Sequence, residues 1–401
     1  MNQMTMVPPP LPMPPPLPGS VSFSGERGEF RRLVTRGAGL ELVTVGFYRF
    51  WLATDIRRHL WSYTAVDDDA FEYTGRAREL LLGFLFALAI LTPIYLAYFF
   101  VGLEAERYKA FASTPLFLFF YLFGQFAIYR ARRYRLTRTV WRGVRFWMSG
   151  SGWAYAARAA LWGILMIFTL GLILPWREAA LERYKMRNSH YGDLQGSFEG
   201  RGWEFFKRGF WIWLVAIAWI VVLIVVALLH TYVPGLVVLL VMLAAPFLYG
   251  VFKAVEWRWW LSGIRFGEVR LESGLTRGAL IGLYWKMIGW FLLLAALLAG
   301  YVLLCFALVA GIRHLPMATL FAPGNLPGSI PLIVLAGVGY LAFILTANVV
   351  MRVYLLRDLW ARVMASTTIH HIEAAANVTA RGELANALGE GFADGLDVAG
   401  F

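Results

Sequence analysis

Histidines, a single cysteine and charged residues at helical spacing are where this chain could do chemistry. His59, His190, His230 and His314 stand apart from one another, and His370-His371 does not complete a metal-ligand pattern. Zinc hydrolysis would need H-E-x-x-H on one helix face, acyl transfer a G-x-S-x-G turn, and nucleotide chemistry a glycine-rich phosphate loop. None of these patterns occurs, and neither does a catalytic carboxylate pair. Cys305 is the only cysteine and lies inside an apolar run. An internal disulfide, a CxxC redox pair and a thiolate metal cluster are therefore excluded. No catalytic residue, metal ligand or cofactor is expected.

Two polar patterns recur instead. Thr44, Gly46 and Trp51 in TVGFYRFW match Thr169, Gly171 and Trp176 in TLGLILPW. Each set closes a short apolar stretch, where glycine permits a backbone reversal, threonine satisfies a freed carbonyl and tryptophan seeks headgroup depth. The functional alternative is a pair of re-entrant elements lining a shared cavity, together with the intramembrane polar residues Gln125 and Asn348. Gly-Arg-x-x-Glu precedes two apolar runs, as Arg76 with Glu79 and Arg201 with Glu204. These are either helix starts with a salt-bridge spacing or arginines that hold an anionic headgroup. Basic and aromatic residues interleave from Tyr129 to Phe146 and from Lys253 to Phe266. That mixture is expected on a membrane face, with Arg145 and Arg265 as headgroup ligands.

These residues need elements to hold them. The 401-residue chain is 59% hydrophobic and 15% charged, with mean hydropathy +0.60, whereas soluble domains carry about 25% charge. Six runs approach or exceed the roughly 20 apolar residues that cross hydrocarbon: Glu79–Val101, Pro115–Tyr129, Phe210–Leu229, Gly235–Phe252, Ile281–Ile312 and Ile330–Met351. Gly39–Ala53 and Ala157–Pro175 are ambiguous. The net charge is +12, from 37 Lys and Arg against 25 Asp and Glu. Pairing the six runs as three hairpins leaves only Arg107, Lys109 and Arg313 outside, whereas a crossing at Ala157–Pro175 would export the basic residues of 176–209. The expected fold is an all-α integral membrane protein with about six full spans (six to eight admitted) and both termini cytoplasmic. Basic residues flanking apolar runs imply anionic membrane lipids as partners, not nucleic acid.

An ungapped offset of 125 residues carries Thr44 to Thr169, Trp51 to Trp176, Arg58 to Arg183, Asp68 to Asp193 and Gly75-Arg76 to Gly200-Arg201. An offset of 120 carries Gly143-Val144-Arg145-Phe146 to Gly263-Ile264-Arg265-Phe266. The reading is a tandem repeat of an interfacial or re-entrant segment plus a transmembrane hairpin, followed by a third hairpin. It divides the chain into a proline-rich disordered tail (1–20), unit one (21–155), unit two (156–278), the third hairpin with a cytoplasmic helix (279–365) and a flexible tail (366–401).

TLGLILPW with Arg177 and Glu182-Arg183-Tyr184, and the opening Phe23-Ser24-Gly25-Glu26, resemble the YjgN-like family of bacterial inner-membrane proteins of unknown function. The resemblance covers about 20–365. It departs in the first copy, where Arg49-Phe50 stands at the expected proline. It implies a multi-pass inner-membrane protein and brings no reaction or substrate. The expected function is to hold or translocate a lipid or other amphipathic solute. A membrane scaffold for another complex is the alternative, and a lipid-modifying enzyme using His190 or Asp193 comes last.

Overall fold

The computed structural model describes residues 19–104, 114–228, 234–313, 326–385 and 394. The proline-rich segment 1–18, Arg107, Lys109, His230 and His314 lie outside the described residues.

Where the apolar helices give way to polar sequence, the chain makes short β-hairpins. Three have the same layout, a strand of three residues, a two-residue turn and a strand of five: β5 (Thr139–Trp141) and β6 (Val144–Met148), β7 (Ser189–Tyr191) and β8 (Leu194–Phe198), β9 (Ile264–Phe266) and β10 (Val269–Ser273). A fourth begins at β2 (Thr64–Val66), but Phe71 breaks its second strand into β3 (Asp69–Ala70) and β4 (Glu72–Tyr73). The turns carry the positive φ that two-residue hairpins need, at Asp67 and Asp68, Arg142 and Gly143, Gly192, and Gly267. With β1 (Gly19–Phe23) and β11 (Thr367–His370) the strands form one eleven-stranded antiparallel sheet in the order β3-β2-β1-β11-β10-β9-β8-β7-β6-β5-β4. Its two edges, β3 and β4, are separated by Phe71 alone. The sheet is thus an almost closed barrel whose seam is one residue wide, and it leaves little exposed edge to aggregate.

Alternation sets which side chains fill it. Val66, Trp141, Tyr191, Val269 and Ile369 turn inward as one cluster, and the segment from Ile372 to Val378 plugs it. Arg145, Arg265, Arg270 and Glu272 stand on the alternate positions.

The helices are α1 (Arg27–Val43), α2 (Arg49–Ser62), α3 (Ala77–Glu104), α4 (Thr114–Thr137), α5 (Gly152–Phe168), α6 (Leu174–Arg187), α7 (Gly202–Leu228), α8 (Pro234–Gly263), α9 (Ile281–Arg313), α10 (Leu326–Val350) and α11 (Asp358–Ala365). A π-helical segment, Met351–Arg357, joins the last two. Neighbouring helices pack on one another, and α10 with the π segment returns against α1. Buried Asp358 locks that closure, 2.8 Å from Arg27 and 3.0 Å from Arg357.

Each helical excursion leaves from one strand and returns to a strand paired with it: α1–α2 between β1 and β2, α3–α4 between β4 and β5, α5–α6 between β6 and β7, α7–α8 between β8 and β9, and α9–α11 between β10 and β11. The whole sheet therefore lies on one side of the apolar layer.

Two expectations are corrected. The fold is not all-α, because an eleven-stranded sheet ties the helices together. Nor are there six plain spans: among the described residues four helices are long and apolar enough to cross a membrane, Ala77–Phe100, Gly202–Val222, Ile281–Ile312 and Ile330–Ala365. The runs at Pro115–Tyr129 and Gly235–Phe252 are the first parts of α4 and α8, whose remaining turns are charged and meet the sheet. Strands of two to five residues, with polar and apolar residues mixed, raise no hydropathy peak, so nothing in the apolar profile announced them. The four helices make this a membrane-associated protein.

Candidate functional site: a chamber between sheet and helices

Three helices present one face each to a common space. From α4 come Ile128, Arg132, Arg135 and Leu136; from α6, Glu178, Glu182 and Lys185; from α8, Lys253, Glu256, Trp257 and Trp260. These residues follow the three-and-four spacing of one helix face, and on α8 Trp259 and Leu261 also reach the space. Opposite them lies the inner face of the sheet, with Trp141, Phe146, Tyr191, Phe266 and Leu271, while Trp61 and Trp360 close one side. The cavity between them measures about 630 Å³, within the usual range of small-molecule sites.

Its charged wall is built as pairs. Glu182 takes Arg132 at 3.0 Å and also Lys185, one turn on. Burial works against ionisation of Glu182, but Lys185 and Arg132 outweigh it and hold the carboxyl down at about 2. Lys253 donates to Glu256 at 2.6 Å, and Glu178 pairs with Arg177. Burial pushes Glu178 upward, and Arg177 and Lys185 oppose that rise.

The aromatic wall is held as firmly. Trp61 and Trp360 stack at 5.2 Å, their indoles donating to Thr139 Oγ1 and Thr64 Oγ1 at 3.0 and 2.9 Å. Trp257 and Trp260 meet edge to face at 5.5 Å. Indole N–H groups that are satisfied by protein leave the ring faces as the available surface.

The positions singled out in the sequence fall elsewhere. Thr44 and Gly46, and Thr169 and Gly171, form the turns that reverse α1 into α2 and α5 into α6. Gly46 and Gly171 have φ of +85° and +84°, after Val45 and Leu170 also in the left-handed region. Thr44 Oγ1 donates to Leu40 O at 2.7 Å and accepts from Tyr48 N, while Thr169 Oγ1 donates to Leu165 O at 2.9 Å. These are helical hairpins with apolar tips: Val45 is 88% exposed and Leu170 84%. Trp51 lies beside Tyr48, and Trp176 packs on Trp203 and Phe206. Gly171 borders a second, smaller apolar groove of about 220 Å³ against α7.

Gln125 is half-buried on α4. Asn348 is exposed on α10 and donates to Ile344 O. Neither lines the chamber, and the structure does not gather the two with the threonines. Arg76 and Arg201 are exposed, and Glu79 pairs with Arg138 at 2.9 Å instead of Arg76 while accepting from Tyr134. Arg145 donates to Thr137 O, and Arg265 meets Glu199 at 2.7 Å. The run from Tyr129 to Phe146 is the end of α4 and a hairpin, with Tyr129 and Tyr134 fully buried.

Sequence reasoning missed Arg132, Glu178, Glu182, Lys185, Lys253 and Glu256. The signal available was Glu178, Glu182 and Lys185 on one face of a helix that is otherwise apolar or basic. Among the described residues no group of three His, Cys, Asp or Glu could hold a metal ion.

Apolar helices seated on an almost closed sheet, with a charged and aromatic cavity between them, define a membrane-associated protein of mixed helix and sheet. The chain belongs to the YjgN-like family: residues 18–394 match the family described as bacterial protein of unknown function (DUF898). Comparison with curated proteins and comparison with solved structures each give no match.

Proposed function

We propose that the protein holds an amphipathic solute in the chamber and exchanges it with the bilayer. The observation that carries this reading is the meeting, around one space of about 630 Å³, of six tryptophans with four cations and three carboxylates. Such a lining suits a molecule with an apolar body and a charged end, because apolar area supplies affinity and a few fixed polar groups supply orientation. We place the protein in the bacterial inner membrane with the sheet and both ends of the chain in the cytoplasm. Support comes from charge: of 37 Lys and Arg, only Arg107, Lys109 and Arg313 stand in the sequence between the apolar runs paired as long hairpins, as the positive-inside rule requires. The apolar tips of the α1–α2 and α5–α6 hairpins would then dip into the same leaflet.

The test is calorimetric titration of the full chain in lipid nanodiscs with decanoate, read against empty nanodiscs. One saturable site is expected for the native chain, and Ala375→Trp, which projects an indole into the chamber, should remove it. Equal binding by the two proteins would refute the reading.

A further inference from the structure

The smaller groove, of about 220 Å³, lies between the α5–α6 turn and α7. Leu172 and Leu174 line one side, Phe206, Phe210 and Trp213 the other, and α8 contributes Phe252. The rings on α7 form a ladder, Phe206 to Phe210 at 5.3 Å and Phe210 to Trp213 at 6.4 Å. Gly209 stands among them, and a Cβ added there would be in open space. The first half of the chain fills the matching place with its own side chains. Helices α2 and α3 begin at Arg49 and Ala77, and α6 and α7 begin 125 residues later, at Leu174 and Gly202. That offset sets Phe84 against Gly209 and Arg49 against Leu174. The Phe84 ring packs on Phe50 at 5.3 Å, and the Arg49 guanidinium lies 4.5 Å from the centre of Phe84 and 4.7 Å from that of Phe50. Where one helix pair is closed by a phenylalanine under an arginine, the other has a glycine, a leucine and a gap. Side chains around an apolar gap forfeit contacts on that side, so an apolar occupant stabilises it.

Its position says what that occupant is. Helix α7 is long and apolar enough to cross a membrane from Gly202 to Val222, and the groove runs along its first turns, at the end next to the sheet. On either side the surface is apolar and exposed, at Phe168 and Leu170 on the hairpin tip and Trp211 on α7. At the start of α7, Arg201, Lys207 and Arg208 are exposed beside a single acid, Glu204. Lys207 Nζ lies over the Trp203 ring at 5.3 Å. Tryptophan and long cations together at the end of a span mark headgroup depth. We propose that the groove holds one acyl chain of an anionic phospholipid from the leaflet on the sheet's side, in the place that Phe84 takes in the first half of the chain, with the phosphate at Lys207 and Arg208. Burial of the chain supplies affinity, and the two cations supply the preference for an anionic headgroup. The inference stands whether or not the chamber holds a solute.

Photo-crosslinking tests it. The full chain is placed in phosphatidylcholine nanodiscs with a minor fraction of phosphatidylglycerol or phosphatidylcholine probe, each carrying the same diazirine in its acyl chain, and labelled peptides are mapped. The native chain should be labelled chiefly at 170–176 and 205–213, and more by the phosphatidylglycerol probe. Gly209→Phe, which installs the residue of the first half, should lose this labelling and keep that on α9. Its Tm in lipid-free micelles should stay at or above the native value, because the ring fills the gap. Lys207→Ala combined with Arg208→Ala should keep the labelling and lose the preference between probes. Labelling spread evenly over the exposed faces of α3, α7, α9 and α10, or unchanged by Gly209→Phe, overturns the proposal. Equal labelling of the native groove by the two probes also overturns it. Should the phenylalanine variant fail to fold, the pattern on the native chain and the double alanine variant decide alone.

Discussion

Replacing Glu182 with glutamine probes the charged wall of the chamber with no change of shape. Glu182 is 6% exposed and is shared by Arg132 and Lys185, so the variant strands two cations beside a neutral amide. Its carboxyl is held at about 2 instead of its ordinary 4.5, which corresponds to about 3 kcal/mol of stability at neutral pH. Removing one member of a buried ion pair costs about the same. The sign follows from a depressed acid: the contribution is complete above pH 4.5 and is lost as pH falls toward 2. Urea unfolding of the full chain in a non-denaturing micelle, followed by tryptophan fluorescence, should show the variant about 3 kcal/mol less stable at pH 7. Most of that gap should close by pH 2. Adding Lys185→Met to Glu182→Gln should recover part of the loss, because one of the stranded cations is gone. A deficit below about 1 kcal/mol at pH 7, or one that persists unchanged at low pH, would mean that Glu182 is solvated and that the wall is not the closed ion-pair cluster described.

Gly37 of α1 packs where a Cβ would stand 2.4 Å from Leu52 of α2, so Gly37→Val should destabilise the first helical hairpin by about 1–3 kcal/mol, measured by the same unfolding assay. Arg138→Met should cost about 1–3 kcal/mol by leaving Glu79 with the Tyr134 hydroxyl as its partner, whereas Arg76→Ala should fall within about 0.5 kcal/mol of native; the reverse order would restore the local pairing expected from sequence spacing. In a Cys305→Ala background, cysteines at Ala70, Ser197 and Thr368, exposed on three separate parts of the sheet, should all label from one face of the membrane. Gly311→Cys, at the far end of α9, should label from the other.

Legibility followed the length of the signal. Long apolar runs were visible as α3, α7, α9 and α10 because twenty consecutive residues must all be apolar to span a bilayer. The reversals inside the short excursions were visible through Thr-x-Gly, and the αL glycines 46 and 171 sit where the chain turns back. The sheet was not visible. Val269-Arg270-Leu271-Glu272 alternates cleanly, but over four residues that pattern is indistinguishable from a helix end, and its partners lie in other hairpins. The offset of 125 residues registers the hairpins, since it carries Thr64 to Ser189 and Thr139 to Ile264 at the first positions of their strands. The offset of 120 does not. It sets Gly143, which is in a turn at φ +75°, against Gly263 at the end of α8, whereas the turn glycine of that hairpin is Gly267. The chamber residues escaped for a different reason. Arg132 and Arg135 sit in a basic run that reads as a solvated face, and only the approach of α6 and α8 turns them inward.

The pairing of strands points the same way as the charge rule. β6 and β7 are joined in register, Phe146 to Tyr191 and Met148 to Ser189, so α5–α6 must bring the chain back to the side from which it left. A segment that crossed between them would carry β7, and every strand after it, to the opposite face of the membrane. The same parity binds all five excursions. Each can be lengthened into a spanning pair or shortened to a dipping hairpin without disturbing the sheet, provided that it returns. A stretch of 125 residues holding one short and one long excursion, with their two hairpins, can therefore be repeated in a chain of this kind and leave every strand on the same side. The sheet, made of the least conspicuous residues in the sequence, is what keeps the chamber wall together while the helices around it differ in length.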